Sequence, residues 1–342
     1  LGSMGSTLLE GRQTGMDYDT SSLAAVNFNT TIAGTEKADV ILIVGSNVRW
    51  EAPLVNTRIR KAIKKGAKVF AIGPETELTY KVDWLGADLG VLGNLPEAVT
   101  EAFAKAERPM VIVGGAGLKA LGAALALVPS LGLVKDGWNG FNVLHMAASR
   151  MGGLMLGYAE KGGIADLVAA KPKLAFFLGA DEVDFGAFAD TFKVYIGHHG
   201  DKGAAAADVV LPAASYAEKS GTYVNLEGRV QRGERAVFPP GDAREDWTIL
   251  RALSGVMGKT LPFDTIEELR AAMAVATPAL GTLGLATFDW APPALDAAAA
   301  GEIAGYPIKD FYLTNAICRA SPTMQRCSAE LVHGQEFAEA AE

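Results

Sequence analysis

A strand–helix–strand pattern between residues 38 and 73 constrains the fold of this chain more than any other feature of its sequence. The run ADVILIVGSN (38–47) is rich in β-branched residues and ends in glycine and a short polar residue, as a buried strand does at a turn. The next segment, PLVNTRIRKAIKKG (53–66), begins with proline, has apolar residues at helical spacing and ends in lysines and a glycine. AKVFAIG (67–73) has the pattern of a second strand. This arrangement predicts two parallel strands joined by a right-handed helical crossover.

The same alternation continues along the chain and predicts an α/β protein. Further strands are predicted at 109–115, 173–181, 193–200 and 207–213, and helices at about 95–106, 117–128, 142–153, 163–171, 244–258 and 265–276. Thr265 is predicted to cap the last of these helices. Past residue 278, a segment rich in proline, glycine and alanine predicts an irregular tail that wraps over a surface.

The length of 342 residues favours two lobes or one large α/β unit over a single small core. We predict an entry segment over residues 1–35, an α/β region over 36–277 and an extended C-terminal tail over 278–342. Within the α/β region we predict two related halves, about 36–135 and 136–277.

Charge and composition argue against several classes of partner. A net charge of −8 and an isoelectric point near 5.2 disfavour nucleic acid or an anionic membrane surface as the main partner. No apolar run is long enough to cross a bilayer, and the first residues lack the pattern of a secretory signal. The spacing of Cys318 and Cys327 matches neither a redox motif nor a zinc or iron–sulfur array, so we predict two free thiols.

The two halves resemble each other where their strands end. VILIVGSN and LAFFLGAD both end in glycine followed closely by a short polar residue, and each precedes a second strand that ends in Ile-Gly. Glycine at the carboxyl end of a strand allows a backbone or a phosphate to approach closely. Gly45 and Asn47 in the first half, with Gly179 and Asp181 in the second, could therefore hold the two ends of a dinucleotide. Such a short repeat also arises when an α/β fold simply uses the same kind of turn at the ends of several strands.

The motif VIVGGAGLKALG (111–122) offers a second nucleotide hypothesis. Gly115, Gly117 and Ala120 fit the pattern G-x-G-x-x-A, and Asp136 lies 19 residues past Gly117. No clear strand ends before Asp136, however, as a nicotinamide site would require. We therefore favour a glycine turn that packs a helix closely against a strand.

The histidines of IGHHGD (196–201) suggest a metal site together with Asp201. Adjacent side chains on an extended segment point in opposite directions, which argues against shared coordination by His198 and His199. We favour a loop histidine that hydrogen-bonds to backbone at the strand end. His145, in a stretch predicted to be helical, is predicted to be a satisfied core residue.

The loop EKSGTYVNLEGRVQRGER (218–235) mixes acidic and basic residues with glycines that include Gly221 and Gly228. Lys219 and Arg229 could hold anionic groups of a ligand. The loop could also pair its charges internally or form part of a subunit interface, and spacing alone does not separate these alternatives.

Two segments carry a resemblance to a known superfamily. ADVVLPAASYAEKSGTYVNLEGRVQ (207–231) resembles the stretch of molybdopterin oxidoreductases that runs from ADVVLP through E-K-x-G-T to N-x-E-x-R-x-Q. ADVILIVGSNVRWEAPLVNTRIRKA (38–62) resembles the strand and crossover helix on the other dinucleotide side of the same proteins. The resemblance implies Rossmann-like parallel-sheet units of the formate dehydrogenase type, in which two halves hold the two guanine dinucleotides of a molybdenum cofactor.

The chain departs from this family pattern where the cofactor would bind. Gly73-Pro74-Glu75 stands in place of D-P-R, so an acid replaces the arginine that meets an anionic group. The upstream region TLLEGRQTGMDYD (7–19) has no cysteine in the place of the metal ligand, and GHHGDKGAAA (197–206) replaces the usual approach to ADVVLP. These departures imply that the cofactor has been lost. They leave a relic pocket near Gly45, Asn47, Gly179, Asp181 and His198, closed by side chains or by the chain itself, with no catalytic residue and no metal ligand.

One branch of the superfamily shares these departures. PPGDAREDWTILRALSG (239–255) and the tail IKDFYLTNAICRASPTMQRCS (308–328) resemble the C-terminal region of the large iron–sulfur subunit of proton-translocating NADH–quinone oxidoreductase. Catalytic molybdoenzymes do not end in this way. The resemblance implies that Leu1 lies within a longer chain and that this segment is a non-catalytic scaffold.

The resemblance also implies a setting for the whole enzyme. Electrons would pass from NADH through FMN in a partner subunit and through 4Fe-4S and 2Fe-2S clusters, bound upstream of this segment, to quinone. The implied partners are other subunits of the peripheral arm of respiratory complex I, without membrane insertion of this segment. The implied location is the cytoplasmic side of a bacterial inner membrane or the mitochondrial matrix side. The competing hypothesis is the catalytic subunit of a molybdopterin-dependent oxidoreductase such as formate dehydrogenase.

Overall fold

A parallel sheet forms the first part of the fold. The computed structural model describes residues 2, 5–13, 18–159 and 162–335. Its largest sheet contains β1 (Val40–Val44), β2 (Lys68–Ile72), β3 (Asp83–Trp84), β4 (Pro109–Val113) and, after a ribbon of β5 (Val134–Lys135) and β6 (Trp138–Asn139), β7 (Phe141–Val143). The strand order is β3-β2-β1-β4-β7, and every neighbouring pair is parallel. The predicted strand–helix–strand unit is confirmed.

Helices cover both faces of this sheet, which explains why β1 is a continuous apolar run. The helices are α1 (Val48–Glu51), α2 (Pro53–Lys64), α3 (Glu97–Ala104) and α4 (Leu121–Ser130). All five residues of β1 are buried, and successive side chains belong to opposite faces. Leu42 lies in a cluster with Phe103 and Leu121, whereas Ile43 lies in one with Val55 and Ile59.

The helix predicted at 142–153 is wrong over most of its length. Asn142 lies in β7, His145 follows the strand, and only α5 (Arg150–Met155) is helical. The fully buried Asn142 side chain accepts from the Thr30 amide at 2.9 Å and donates to Thr30 Oγ1 and to the Gly140 carbonyl, each at 2.9 Å. The contacts with Thr30, far away in the sequence, override the local helical pattern.

A second parallel sheet follows, and it confirms the strands predicted in the second half. In chain order this region contains α6 (Gly163–Ala169), β8 (Leu174–Leu178), β9 (Phe192–Gly197), α7 (Lys202–Ala206) and β10 (Val209–Pro212). The strand order is β10-β9-β8. Phe177 and Tyr195 pack with Phe188 on one face, and Val194 and Ile196 pack with Ala213 on the other.

A small antiparallel sheet joins the charged loop to the tail. Its strands are β11 (Gly221–Val224), β12 (Arg229–Gly233) and β13 (Gly284–Leu285). Two helices, α8 (Asp246–Val256) and α9 (Ile266–Ala276), lie between β12 and β13 in the chain. Thr265 caps α9 as predicted, because its hydroxyl accepts from the Glu268 amide at 3.2 Å and Glu268 returns a bond to the cap backbone.

The C-terminal tail is mainly irregular over 286–310 and ends in α10 (Ala316–Ala320) and α11 (Pro322–Cys327), followed by one wide helical turn at Ser328–Val332. Its predicted span extends to 342, of which residues 336–342 lie outside the described part. The predicted domain boundaries stay predictions, and β7 belongs to the first sheet although it follows the predicted division near 135. None of the helices in the described ranges combines the length and apolar character needed to cross a membrane.

Candidate functional site

Two sheet edges form the candidate site, since ligands of open α/β sheets bind outside the carboxyl ends of the strands. The first edge is the carboxyl end of β1, β2 and β4, with Gly45 and Asn47. The second edge is the carboxyl end of β8, β9 and β10, with Gly179, Asp181 and His198. The structure thus divides the five predicted residues between two places.

Backbone packing fills the first edge at Gly45. This residue has a φ of 63°, and a Cβ there would lie 2.2 Å from the amide nitrogen of Gly117. A Cβ on Gly117 would in turn lie 2.4 Å from the Val44 carbonyl oxygen. The glycines therefore serve close packing of the segment after β4 against the end of β1, as favoured from the sequence. Asp136 lies in the turn between β5 and β6, away from the position that a nicotinamide site requires.

A carboxylate that the sequence analysis missed binds the backbone donors of this edge. Glu51 accepts from the Gly115 amide at 2.9 Å and from the Asn47 amide at 3.0 Å. Burial raises the pKa of Glu51 to about 7, although both hydrogen bonds oppose the rise. In nucleotide-binding proteins the amides of glycine-rich turns donate to anionic ligands. Here they donate to the carboxylate of Glu51 instead.

The C-terminal tail covers the first edge. The Tyr306 hydroxyl donates to the Pro74 carbonyl at 2.6 Å, and it lies 2.6 Å from the position of a Cβ on Gly73. Pro307 lies equally close to the position of a Cβ on Gly115. Side chains of the tail thus occupy the space beside Gly73 and Gly115 that a phosphate would need.

Further tail contacts extend this cover. The rings of Trp50 and Phe311 contact each other at 6.5 Å between centroids, and Lys119 donates to the Glu302 carbonyl at 3.1 Å. A cavity of about 460 Å³ remains between the edge and the tail, and it is lined by Asn47, Arg49, Trp50, Thr76, Glu77, Gly305, Tyr306, Ile308 and Lys309. Asn47 Oδ1 is buried at this cavity without a hydrogen-bond partner among the described residues.

At the second edge, the Asp181 carboxylate is already hydrogen-bonded within the protein. It is only 5% exposed, and it accepts from the Tyr195 hydroxyl at 2.8 Å and from the Gly203 amide at 2.9 Å. These bonds tie the end of β8 to β9 and to the start of α7. Gly179 has a φ of 58°, but no atom lies within 4 Å of the position of a Cβ there. Gly179 is thus needed for its backbone conformation and not for close approach.

The tail also contacts the second edge, through an arginine that the sequence analysis missed. Arg319 Nε lies 2.7 Å from Asp201 Oδ2, and its Nη2 lies 2.6 Å from Glu182 Oε1. Its remaining terminal nitrogen donates to the Leu313 carbonyl within the tail at 3.2 Å. One guanidinium therefore joins the tail to two acidic residues of this edge.

The histidine pair differs from its prediction. The Nδ1 atoms of His198 and His199 lie 2.6 Å apart and their rings meet edge to face, so the expectation of opposed side chains is wrong. The chain bends after β9, and this ends the alternation that an extended segment imposes. Burial, and then the charge of His199, lower the pKa of His198. His145 instead binds the Val26 carbonyl at 2.6 Å, as a satisfied core residue should.

Histidine, cysteine, aspartate and glutamate side chains do not cluster as metal ligands within residues 2, 5–13, 18–159 and 162–335. These contain no group of three histidine, cysteine, aspartate or glutamate residues placed to hold an ion, and Cys318 and Cys327 are free thiols. The upstream region 7–19 contains a buried ion pair of Arg12 with Glu10 at 2.6 Å. Residues 14–17 of that region lie outside the described part.

The charged loop 218–235 forms ion pairs within this chain, one inside the loop and others with the start of α8. Lys219 contacts Asp246 at the start of α8, and Arg235 contacts Glu245 at 3.1 Å. Glu227 is buried, where it binds Arg229 at 2.9 Å and the Ile32 amide at 2.7 Å. Lys219 and Arg229 are therefore committed to structural ion pairs.

Comparisons with known proteins agree with this fold. Residues 1–256 match the family model of molybdopterin oxidoreductases, and residues 284–327 match that of the C-terminal region of the G subunit of NADH-ubiquinone oxidoreductase. Acetylene hydratase from Pelobacter acetylenicus has a similar structure, with a TM-score of 0.50 and 15% identity over 77% of this chain and 53% of that one. At this identity the likeness shows the fold alone.

Curated relatives are more similar in sequence. The 78 kDa subunit of mitochondrial NADH-ubiquinone oxidoreductase of Neurospora crassa is 41% identical over 327 residues, covering 88% of this chain and 43% of its own length. The G subunit of NADH-quinone oxidoreductase of Rickettsia typhi is 38% identical, covering 90% of this chain and 47% of its own length. This chain thus spans about half the length of these relatives. It belongs to the molybdopterin oxidoreductase family and continues into a C-terminal region of the G-subunit type.

Proposed function

We propose that this chain is a non-catalytic scaffold region of the large iron–sulfur subunit of a proton-translocating NADH:quinone oxidoreductase, and that its molybdenum cofactor site has been lost. The similarity to the Rickettsia and Neurospora proteins over most of this chain supports the assignment to that complex. The tail of the G-subunit type supports it independently.

One observation supports the proposed loss of the cofactor most directly. The segment that matches the C-terminal family model, residues 284–327, is the same segment that contacts both sheet edges. Tyr306 and Pro307 cover the first edge and Arg319 binds the second. The part of the chain that distinguishes this branch therefore lies at the carboxyl ends of both parallel sheets, where open α/β folds bind ligands, and this supports the proposal.

The residues present do not fit a molybdenum cofactor. Phosphate groups at the first edge would meet the carboxylate of Glu51, which holds the amides of Gly115 and Asn47. At the second edge Asp181 is bonded to Tyr195 and Gly203, and the acids beside it are neutralised by Arg319. A dinucleotide would have to displace the tail and break these contacts, so this segment contributes structure and not chemistry.

The wider setting follows from the same assignment. In the proposed enzyme, electrons pass from NADH through FMN in a partner subunit and through 4Fe-4S and 2Fe-2S clusters to quinone. This segment ligates none of those carriers and contacts neighbouring subunits of the peripheral arm of complex I. The proposed location is the cytoplasmic side of a bacterial inner membrane or the matrix side of a mitochondrial one.

Elemental analysis of the full-length protein, purified within its complex, tests the proposal. We expect iron from the clusters and no molybdenum above background, with a working molybdenum oxidoreductase measured in parallel as a control. Molybdenum in an amount equal to that of the chain would contradict the proposal. It would favour the alternative of a molybdopterin-dependent oxidoreductase such as formate dehydrogenase.

A further inference from the structure

A second cavity, separate from both sheet edges, lies beside α9 and the small antiparallel sheet. Its volume is about 260 Å³. It is lined by Arg232, Glu267, Arg270, Ala271, Ala274, Leu280 and Gly281. Arg232 comes from β12 and Arg270 from α9, so elements distant in the sequence place two cations at one cavity.

Arg270 is largely buried at this cavity, and two of its donors have no partner among the residues that the structure describes. Its side chain is 12% exposed, and both Nε and Nη2 are buried without a hydrogen-bond partner among the described residues. Buried polar groups are nearly always bonded, and a buried cation with free donors is rarer still. Such a group indicates a missing acceptor.

The nearest acid does not supply that acceptor. Glu234 Oε1 lies 3.7 Å from Arg270 Nη2, beyond hydrogen-bond distance, and the Glu234 side chain is 68% exposed. The other oxygen of Glu234 accepts from the Ser220 hydroxyl at 3.0 Å. Ser220 in turn accepts from the Arg235 amide at 3.2 Å, so Glu234 is held away from the guanidinium.

The arrangement of the two unpaired donors of Arg270 indicates which kind of acceptor fits them. Nε–H and Nη2–H lie on one edge of the guanidinium and point the same way, which matches the two oxygens of a carboxylate or a phosphate. Arg232 adds a second positive charge, while Ala271, Ala274 and Leu280 supply apolar walls. Glu267 and Glu234 nearby limit the net charge and would disfavour a highly charged ligand.

We propose that this cavity binds a small anionic molecule through one carboxylate or phosphate group seated on the Nε–Nη2 edge of Arg270. The cavity volume equals that of roughly nine water molecules at about 30 Å³ each, which suits a compact acid or phosphate better than a dinucleotide. The site lies in the region between β12 and the tail, and it does not depend on the fate of the molybdenum cofactor.

Titration calorimetry on the full chain tests this site, with inorganic phosphate and succinate as separate probes. We expect saturable heat from at least one probe, and the probe that binds identifies the group. R270Q is expected to weaken binding at least tenfold. R270K keeps the charge but loses the paired donors, and is expected to weaken it at least fivefold. R60Q, which changes an exposed arginine of α2, serves as the matched control and should leave binding unchanged.

A second variant keeps the test decisive if R270Q unfolds. Ala271 is exposed at the mouth of the cavity, and A271L would narrow that mouth while keeping Arg270. It is expected to abolish binding with an unchanged circular dichroism spectrum. Absence of saturable heat with both probes would overturn the proposal, and so would binding that survives in R270Q, or in A271L where R270Q does not fold.

Discussion

The two sheet edges share a pattern of glycine and a short polar residue after a strand, but they are closed in different ways. At the first edge, glycine backbones meet one another and tail side chains lie where a ligand would approach. At the second edge, space remains at Gly179, and closure depends on charged contacts from Arg319. The comparison teaches that equivalent strand ends can be occupied by steric filling in one sheet and by charge pairing in the other. Steric filling should be insensitive to salt, whereas ionic closure should weaken as the salt concentration rises.

Alanine substitutions of Gly45 and Gly179, which follow the first strand of each parallel sheet, should show the largest difference between the two edges. G45A would force a Cβ to 2.2 Å from the Gly117 amide nitrogen at a φ of 63°, so we expect a loss of about 4 kcal/mol in the free energy of unfolding. G179A meets no atom within 4 Å and has only its φ of 58° to strain it, so a loss of about 1 to 2 kcal/mol is expected. Urea denaturation of both variants measures the difference. Equal losses would refute the steric account of the first edge.

Removal of Arg319 should affect the second edge next most strongly. R319A leaves Asp201 and Glu182 without their cation, and we expect a loss of about 2 to 3 kcal/mol that shrinks in high salt. Hydrogen exchange should rise in residues 311–327 while β1 stays protected. K105A, which removes an exposed pair with Glu101 in α3, is the control and should have little effect. Protection that is unchanged in R319A would show that other contacts hold the tail.

The buried carboxyl group of Glu51 gives the first edge a pH dependence. Its pKa is raised to about 7 when folded, so between about 4.5 and 7 the folded state binds a proton that the unfolded state has released. Stability from this group therefore falls as the pH rises through that window, by about 3 kcal/mol. E51Q should remove the fall, and unfolding of variant and wild type at pH 5 and pH 8 measures it.

His145 titrates in the opposite sense to Glu51, so E51Q must be compared with the wild type at each pH. Burial lowers the pKa of His145 to about 4, so its contribution to stability grows as the pH rises from about 4 to 6.5. The difference between E51Q and the wild type cancels this contribution, because both proteins retain His145. A difference that does not change between pH 5 and pH 8 would rule out titration of Glu51 in this range.

The smallest effect is expected from the Tyr306 hydroxyl. Y306F deletes one hydrogen bond to the Pro74 carbonyl and keeps the ring against Gly73, so we expect a loss of about 1 kcal/mol. Thermal denaturation checks this value. A loss as large as that of R319A would mean that polar contacts dominate at both edges.

The sequence predicted the layered part of the fold because its signals are local. Apolar runs such as 40–44 and 209–212, and the Thr265 cap, carry their structure in their own periodicity. Asn142 was placed in a helix because the side-chain hydrogen bonds that hold it in a strand join it mostly to Thr30 and Val111, which no local pattern records.

The candidate site was predicted less well, and for the same physical reason. Gly45 and Gly179 lie at the carboxyl ends of β1 and β8, as their local pattern predicted. Glu51, Tyr306 and Arg319 were missed because each acts on a partner far along the chain, and no local spacing records that distance. The sequence predicted the space where a ligand would bind but not the segments that fill it.

An experimental density map of the full-length protein within its complex tests the central claim most directly. The account predicts side-chain density for Tyr306 at the first edge and for Arg319 between Asp201 and Glu182 at the second, with no anomalous signal from molybdenum. A pterin between the two edges, with residues 302–327 displaced from them, would contradict it.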